Sequence, residues 1–163
     1  MEQKPIELHV KISAKELFSF MLRHTYTSGS GLFGLVISLL CLILLGAGYA
    51  KGDDFRTVVL LVLGLMFTVV NPILLYMKAK NQAMTNPVYK NELVYTLDDT
   101  GVTLNVEEAT ETVEWSKIRK WKKTRILHIL YTTPIHAILL PVVSMQGNRA
   151  EVEALLESKL KKR

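Results

Sequence analysis

The fold of this 163-residue chain is decided by two apolar stretches, Leu32–Tyr49 (LFGLVISLLCLILLGAGY) and Thr57–Met77 (TVVLLVLGLMFTVVNPILLYM). Neither stretch contains a charged residue, and only residues 50–56 separate them. A bilayer core about 30 Å thick needs about 20 apolar residues in helical form, because lipid offers backbone N–H and C=O groups no other partner. The pair therefore predicts a transmembrane helical hairpin, with spans at about 32–50 and 57–77.

The charge of the chain favours an anionic partner. The formal net charge is +5, and each Lys or Arg close to an acidic membrane surface contributes about 1 kcal/mol to binding. The basic residues do not form any DNA- or RNA-reading motif, so we expect no nucleic-acid partner. With two spans present, we expect the anionic cytoplasmic leaflet as the partner.

The orientation in the membrane follows from Lys and Arg residues beside the spans, which favour the cytoplasmic side. More of them flank the two outer ends of the hairpin than its connecting loop. We therefore predict a multi-pass protein of the bacterial cytoplasmic (inner) membrane with both termini in the cytoplasm. The basic residues counted are Lys11, Lys15 and Arg23 before the first span, Lys51 and Arg56 between the spans, and Lys78, Lys80 and Lys90 after the second.

Small residues within the spans predict close packing of the two helices. Gly34 and Ser38 form a small-x-x-x-small pair on the first span, and Gly64 and Thr68 form another on the second. Such spacing allows helix backbones to approach each other closely.

Asn71 and Pro72 interrupt the second span. An amide in hydrocarbon needs a hydrogen-bond partner, and proline removes one backbone donor and bends the helix. An antiparallel hairpin places Asn71 at about the depth of Ser38. We therefore predict a hydrogen bond between Asn71 and Ser38 that holds the helices together.

The N-terminal segment, residues 1–30, predicts a strand followed by a short amphipathic helix. Apolar residues alternate with polar ones from Ile6 to Ile12, which is typical of a half-buried strand. Ser13 and Glu16 then have the spacing of a capping box at the start of a helix. We expect this segment to pack with the cytoplasmic domain. The hairpin follows it in sequence, at residues 31–80.

Residues 91–163 predict a cytoplasmic β domain with a C-terminal helix. Residues 98–101, Asp-Asp-Thr-Gly, have the composition of a turn between two strands. Asn148 is a candidate N-cap for a final helix whose apolar stripe includes Val152 and Leu156. Including the N-terminal segment, the predicted strands are Ile6–Ile12, Leu93–Leu97, Val102–Val106, Thr110–Trp115, Lys117–Lys123, Ile126–Tyr131 and Ile135–Leu140.

The layout of the chain resembles the bacterial YcxB-like membrane protein family. The residues that carry the resemblance are 95–102 (YTLDDTGV), 113–118 (VEWSKI) and 138–141 (ILLP). The resemblance implies a membrane α+β fold, in which a transmembrane hairpin carries a pleckstrin-homology-like antiparallel β-barrel or sheet closed by the C-terminal amphipathic helix. It implies architecture more than activity.

A basic run near the middle of the β domain is the candidate binding surface. Cations interleaved with an indole suit a membrane interface, because the ring lies at headgroup depth while the charged groups meet lipid phosphates. The alternative is a solvated outer face of the β domain with Trp121 half buried. The candidate residues for membrane-surface or partner binding are Lys117, Arg119, Lys120, Trp121, Lys122, Lys123 and Arg125.

Catalytic and metal-binding patterns do not occur in the sequence. His9, His128 and His136 have neither ligand spacing nor a nearby cysteine. The pair Asp98 and Asp99 suits a turn better than acid–base catalysis. We expect no enzyme activity, no metal and no cofactor.

The function that we expect is that of a non-enzymatic inner-membrane adaptor, whose cytoplasmic domain binds membrane lipids or an unidentified protein partner. Two alternatives stay open. One is an immunity-type membrane protein that protects against a toxin or bacteriocin. The other is a small transporter or channel subunit that works as a homo-oligomer, for which Asn71 and a few hydroxyl groups are the supporting features.

Overall fold

The computed structural model describes residues 4–106, 109–134 and 136–160. The chain divides into two compact units. A helical unit comprises residues 17–81, and an α+β unit comprises residues 1–16 together with 82–163. The two ends of the helical unit therefore both continue into the α+β unit.

The helical unit contains most of α1 (Ala14–Thr27), then α2 (Gly29–Gly46), α3 (Asp54–Leu65) and most of α4 (Asn71–Thr85). A π-helical turn, Met66–Val70, joins α3 directly to α4. We call this turn the π segment.

Side chains fix where these helices begin. Ser13 and Glu16 form the predicted capping box of α1, since the Ser13 backbone N–H donates to Glu16 Oε2 at 3.1 Å. Ser28 Oγ accepts from the Gly31 N–H at 3.1 Å and caps α2. Asp53 Oδ1 accepts from the Arg56 N–H at 3.0 Å and caps α3. The second apolar helix therefore begins slightly before the predicted boundary at residue 57.

In the described part of the chain, two continuous helical stretches are long and apolar enough to cross a membrane, Gly29–Gly46 and Asp54–Thr85. Most of their large apolar side chains are exposed, including Phe33, Ile43 and Val62. The first stretch ends at Gly46, before the predicted end at residues 49–50. The chain then turns, with Gly48 at a φ of 78°, in the left-handed region that glycine adopts without strain.

Two of the predicted small residues lie where the helices of the hairpin meet. A Cβ atom on Gly34 would lie 2.5 Å from the ring of Phe67, and one on Gly64 would lie 2.6 Å from the Leu42 side chain. These glycines therefore leave the space that the facing side chains fill. Gly46, by contrast, has no atom within 4 Å of its Cβ position.

The α+β unit contains the seven predicted strands, counted over the described residues and with shifted ends. Ile135, the predicted start of the last strand, lies outside the described residues. One antiparallel sheet has the order β1-β2-β3-β4, and the other has the order β5-β6-β7. The strands are β1 (Ile6–Val10), β2 (Leu93–Leu97), β3 (Gly101–Val106), β4 (Ala109–Glu114), β5 (Lys120–Lys123), β6 (Leu127–Tyr131) and β7 (Ala137–Pro141).

Short helical segments complete this unit. The short helix α5 (Pro87–Lys90) precedes β2, and a 3-10 turn, Trp115–Lys117, joins β4 to β5. A second 3-10 turn, Val142–Met145, leads to the terminal helix α6 (Arg149–Lys159). The predicted apolar stripe of α6 is buried, including Val152, Leu155 and Leu156.

The predicted closed barrel is not formed by the described residues, because neither sheet closes on itself or joins the other. The 3-10 turn between β4 and β5 explains the break. Trp115 is buried there, its indole N–H donates to the Asp98 carbonyl at 2.9 Å, and its backbone N–H donates to Thr100. The chain thus leaves the first sheet at Trp115, and the confirmed architecture is an α+β fold with two antiparallel sheets.

Enlarging Gly34 tests the packing of the helical hairpin. We expect Gly34→Leu to lower the free energy of unfolding by roughly 1–3 kcal/mol, because the added side chain overlaps the Phe67 ring. Gly46→Leu is the matched control, and we expect no loss of stability from it. Circular dichroism during unfolding in detergent measures both variants. Equal stability of the two would contradict the close contact at Gly34.

Candidate functional site

The predicted basic residues lie on and around β5, the short edge strand of the three-stranded sheet. Lys117 ends the 3-10 turn before the strand, and Arg119 directly precedes it. Arg125 lies in the turn between β5 and β6. Lys117, Arg119, Lys120, Lys123 and Arg125 are exposed, whereas Trp121 and Lys122 are half buried.

The face of β5 that carries Trp121 and Lys123 also carries a buried residue of β6. Residue pairing places Trp121 opposite Leu130 and Lys123 opposite His128, so Trp121, Lys123 and His128 share one face of the sheet. The Trp121 ring stacks on the His128 ring, with a centroid distance of 5.7 Å and an interplanar angle of 26°. Trp121 therefore covers a buried side chain and is itself half buried.

Glu153 of α6 neutralises part of the predicted basic surface. Its Oε2 accepts from Lys123 Nζ at 2.5 Å, and its Oε1 accepts from Arg149 Nε at 2.9 Å. These two hydrogen bonds lower the pKa of Glu153 to about 2. Glu153 is therefore ionised at any physiological pH, and Lys123 fastens β5 to α6.

His128 is buried completely at the centre of this group, with 0% exposure. Its Nε2 lies 3.3 Å from Glu153 Oε1, but among the described residues neither ring nitrogen has a hydrogen-bond partner. Burial lowers the pKa of His128, and the nearby Lys123 and Arg149 act in the same direction, while Glu153 opposes them. The net effect favours the neutral imidazole in the folded chain.

The position of β5 gives its lysines a structural role. An edge strand exposes unpaired backbone N–H and C=O groups, and charged side chains, above all lysines, prevent another strand from adding there. The sequence of β5 is Lys-Trp-Lys-Lys. The cations that remain exposed and outside the Glu153 contact are Lys117, Arg119, Lys120 and Arg125, and we call these four residues the basic set.

The turn at Asp98 is confirmed as a structural element. Asp98 Oδ1 accepts from the Thr100 N–H at 2.7 Å and from the Gly101 N–H at 3.0 Å. The further hydrogen bond from the Thr100 hydroxyl lowers the pKa of Asp98. Asp99 forms an ion pair with Lys159 of α6 at 2.8 Å. These contacts hold the β2–β3 turn and the end of α6 in place.

A second group of polar side chains lies inside the helical unit, at the π segment. Ser38 Oγ donates to the Leu63 carbonyl at 2.7 Å and accepts from the Phe67 N–H at 3.2 Å. In a regular α-helix, the Phe67 N–H would donate to that same carbonyl. The Ser38 hydroxyl is therefore inserted into the hydrogen-bond ladder of the neighbouring helix.

The predicted hydrogen bond between Asn71 and Ser38 is wrong. Asn71 Nδ2 lies 3.4 Å from the Tyr26 hydroxyl, which itself donates to the Phe67 carbonyl. The Asn71 backbone N–H donates to Met66, five residues back. In the same π-helical pattern, the donor to the Phe67 carbonyl would be the N–H of residue 72. Pro72 has no N–H, so the Phe67 carbonyl needs a side-chain donor, and Tyr26 supplies it.

The other predicted packing residues have distinct places. Thr68 Oγ1 donates to the Gly64 carbonyl at 2.6 Å within the same helix, so its hydroxyl is satisfied locally. Pro72 directly follows the π segment inside the continuous helical stretch Asp54–Thr85, where it removes one backbone donor. Sequence reasoning missed Tyr26, Glu153 and His128. The available signal for Tyr26 was a hydroxyl at the C-terminal end of an amphipathic helix.

The fold and surface define a small α+β protein that carries an apolar helical hairpin and a charged sheet edge. The model of the family described as YcxB-like protein matches residues 97–157. This match runs from the end of β2 into α6, and it confirms the predicted resemblance to that family over this segment. A search of curated proteins found no match, and a search of solved structures also found none.

Removing the Ser38 hydroxyl tests its insertion at the π segment. We expect Ser38→Ala to lower the free energy of unfolding in detergent by about 1–2 kcal/mol, because the Phe67 N–H and the Leu63 carbonyl lose their shared partner. Ser30→Ala, on the exposed start of α2, is the control. Similar stabilities of the two variants would show that the hydroxyl does not support the helix.

The lowered pKa of His128 predicts a pH-dependent stability of the α+β unit. In the unfolded chain His128 takes up a proton near pH 6.5, whereas in the folded chain it does so only at a lower pH. The contribution of His128 to the free energy of unfolding is therefore fully present above pH 6.5 and is lost as the pH falls. The slope contributed by one group is at most about 1.4 kcal/mol per pH unit. Below about pH 4.5, Glu153 adds a second loss as the pH approaches its folded pKa of about 2.

His128→Phe isolates the first of these losses, because phenylalanine keeps the ring against Trp121 and cannot titrate. We expect this variant to show a shallower loss of stability between about pH 6.5 and 5 than the wild type. The exposed His136→Phe serves as the control. Both tryptophans lie in the α+β unit, so their fluorescence during urea unfolding follows that unit. An unchanged slope in His128→Phe would contradict the prediction.

Proposed function

We propose that this protein is a non-enzymatic integral membrane protein, in which the helical hairpin is the anchor and the α+β unit is a binding module for an anionic partner. The observation that carries the proposal is the exposure of the apolar side chains along both long helices. A soluble protein rarely leaves such a large continuous apolar surface in water. Lipid is the environment in which this surface is stable.

The module is proposed to be a pleckstrin-homology-like domain. Two features support this: a four-stranded and a three-stranded antiparallel sheet, followed by a C-terminal helix that buries its apolar stripe. The location is proposed to be the bacterial inner membrane with both termini in the cytoplasm. The excess of Lys and Arg outside the hairpin loop supports that orientation.

The partner is proposed to be the phosphate-bearing headgroups of the cytoplasmic leaflet, bound by the basic set. Lys117, Arg119 and Lys120 follow one another closely in sequence at the start of β5 and are all exposed. Each contributes about 1 kcal/mol close to an anionic surface. Both ends of the hairpin continue into this module, so the chain itself holds the module at the surface and weak contacts suffice.

The transporter alternative has less support from the geometry. The polar side chains at the π segment, Ser38, Tyr26 and Thr68, are hydrogen-bonded to backbone groups of the helices. These contacts stabilise the helices and do not form a polar path. A protein partner at the basic set is a further outcome that the experiment below distinguishes.

Hydrogen exchange in nanodiscs tests lipid binding by the basic set. We expect the amides of residues 117–125 to exchange more slowly in discs that contain phosphatidylglycerol than in discs of phosphatidylcholine alone. Lys117→Gln/Arg119→Gln/Lys120→Gln should lose this difference, because the cations that meet the phosphates are gone. Added salt should reduce the difference in the wild type.

The matched control is Lys4→Gln/Lys11→Gln/Lys15→Gln, which removes the same charge from exposed positions outside β5. This variant should keep the protection of residues 117–125 in anionic discs. Equal exchange in both kinds of disc for the wild type would reject lipid as the partner. A protein partner would then be sought by crosslinking in membranes.

A further inference from the structure

The loop of the hairpin is an ordered turn. Tyr49 N–H donates to the Leu44 carbonyl at 3.1 Å, and Asp53 N–H donates to the Ala50 carbonyl at 3.0 Å. Gly52 has a φ of 83°, in the region that favours glycine. Ala50 is buried, with 4% exposure. The backbone of the loop thus gives its side chains defined directions.

This ordered loop presents two aromatic side chains outward. Tyr49 is 65% exposed, and Phe55, at the start of α3, is 78% exposed, the largest value among the described large apolar residues. The Arg56 guanidinium lies 6.0 Å from the centroid of the Tyr49 ring, and its Nε lies 3.0 Å from Asp53 Oδ2. The tip of the hairpin therefore combines exposed rings with a paired cation.

The rings continue the exposed apolar surface of the long helices. Phe55, Val58 and Val62 follow one another at helical spacing on α3, and all three are exposed. On the other helix, Ile43 is exposed close to the turn that leads to Tyr49. The exposed apolar surface of α3 thus reaches the loop at Phe55.

We infer that Tyr49 and Phe55 anchor the loop of the hairpin in the headgroup region of a phospholipid bilayer. Aromatic rings are enriched at this depth, where an apolar body and a polar edge are both accommodated. The charges of Lys51, Asp53, Asp54 and Arg56 sum to zero, so the loop suits zwitterionic headgroups. This inference rests on the proposed membrane anchoring.

Spin-label accessibility in phosphatidylcholine vesicles tests the inference on the full chain. The single cysteine is removed by Cys41→Ala, and one label is then placed at Lys51→Cys in the loop, Leu39→Cys in the first helix or Ala150→Cys in α6. We expect access of a water-soluble nickel reagent to be lowest at residue 39, intermediate at residue 51 and highest at residue 150. Tyr49→Ser/Phe55→Ser should raise nickel access at residue 51.

Val143→Ser, which removes an exposed apolar side chain from the α+β unit, is the control and should leave nickel access at residue 51 unchanged. If residue 51 is as accessible as residue 150 while residue 39 stays protected, the anchor is rejected and the membrane hairpin stands. If residue 39 is also accessible, the proposed membrane anchoring fails as well. Molecular oxygen, which dissolves in lipid, serves as a second probe. Protection of residue 51 from both the nickel reagent and oxygen would indicate a protein contact and would also reject the lipid anchor.

Discussion

In lipid, the environment proposed for the helical hairpin, the backbone hydrogen-bonding groups must be satisfied from within the protein. This constraint is most severe at Phe67, where the π segment and Pro72 interrupt the regular ladder. The hydroxyl of Ser38 bonds to the Phe67 N–H, and that of Tyr26 bonds to its carbonyl. Ser38 belongs to α2 and Tyr26 belongs to α1. A single interrupted turn therefore holds both α1 and α2 against the helical stretch Asp54–Thr85.

The sequence predicted that the Asn71 amide needs a hydrogen-bond partner, but it did not identify the right one. The prediction paired Asn71 with Ser38 from an even hairpin register. In the structure α2 ends at Gly46, earlier than predicted, and the π segment shifts the residues that follow it. Gly34 therefore faces Phe67, and Asn71 lies farther along, beside Tyr26. Register between helices depends on where the helices end and on local irregularities, and neither has a reliable signal in composition.

In the α+β unit, local patterns predicted the strands well because alternation and turn residues are local properties. Capping by Glu16, the turn at Asp98 and the buried stripe of α6 follow in the same way. Contacts between distant residues were not predictable. Lys123 and Glu153 are separated by 30 residues in sequence, and the burial of His128 on a central strand depends on which strands lie beside it. The candidate site was therefore predicted as a list of residues, without its internal pairing.

That pairing changes how the basic run can work. A strand that carries several lysines is basic in sequence, but Glu153, whose pKa is lowered to about 2, stays ionised and holds Lys123 against α6. Trp121 stacks on His128 and is half buried. Two roles are thereby divided between neighbouring residues. Trp121 and Lys123 build the sheet edge, while Lys117, Arg119 and Lys120 keep exposed charge at its beginning. Because different residues carry these two roles, the charge at Lys117, Arg119 and Lys120 can change without loss of the contacts that Trp121 and Lys123 make.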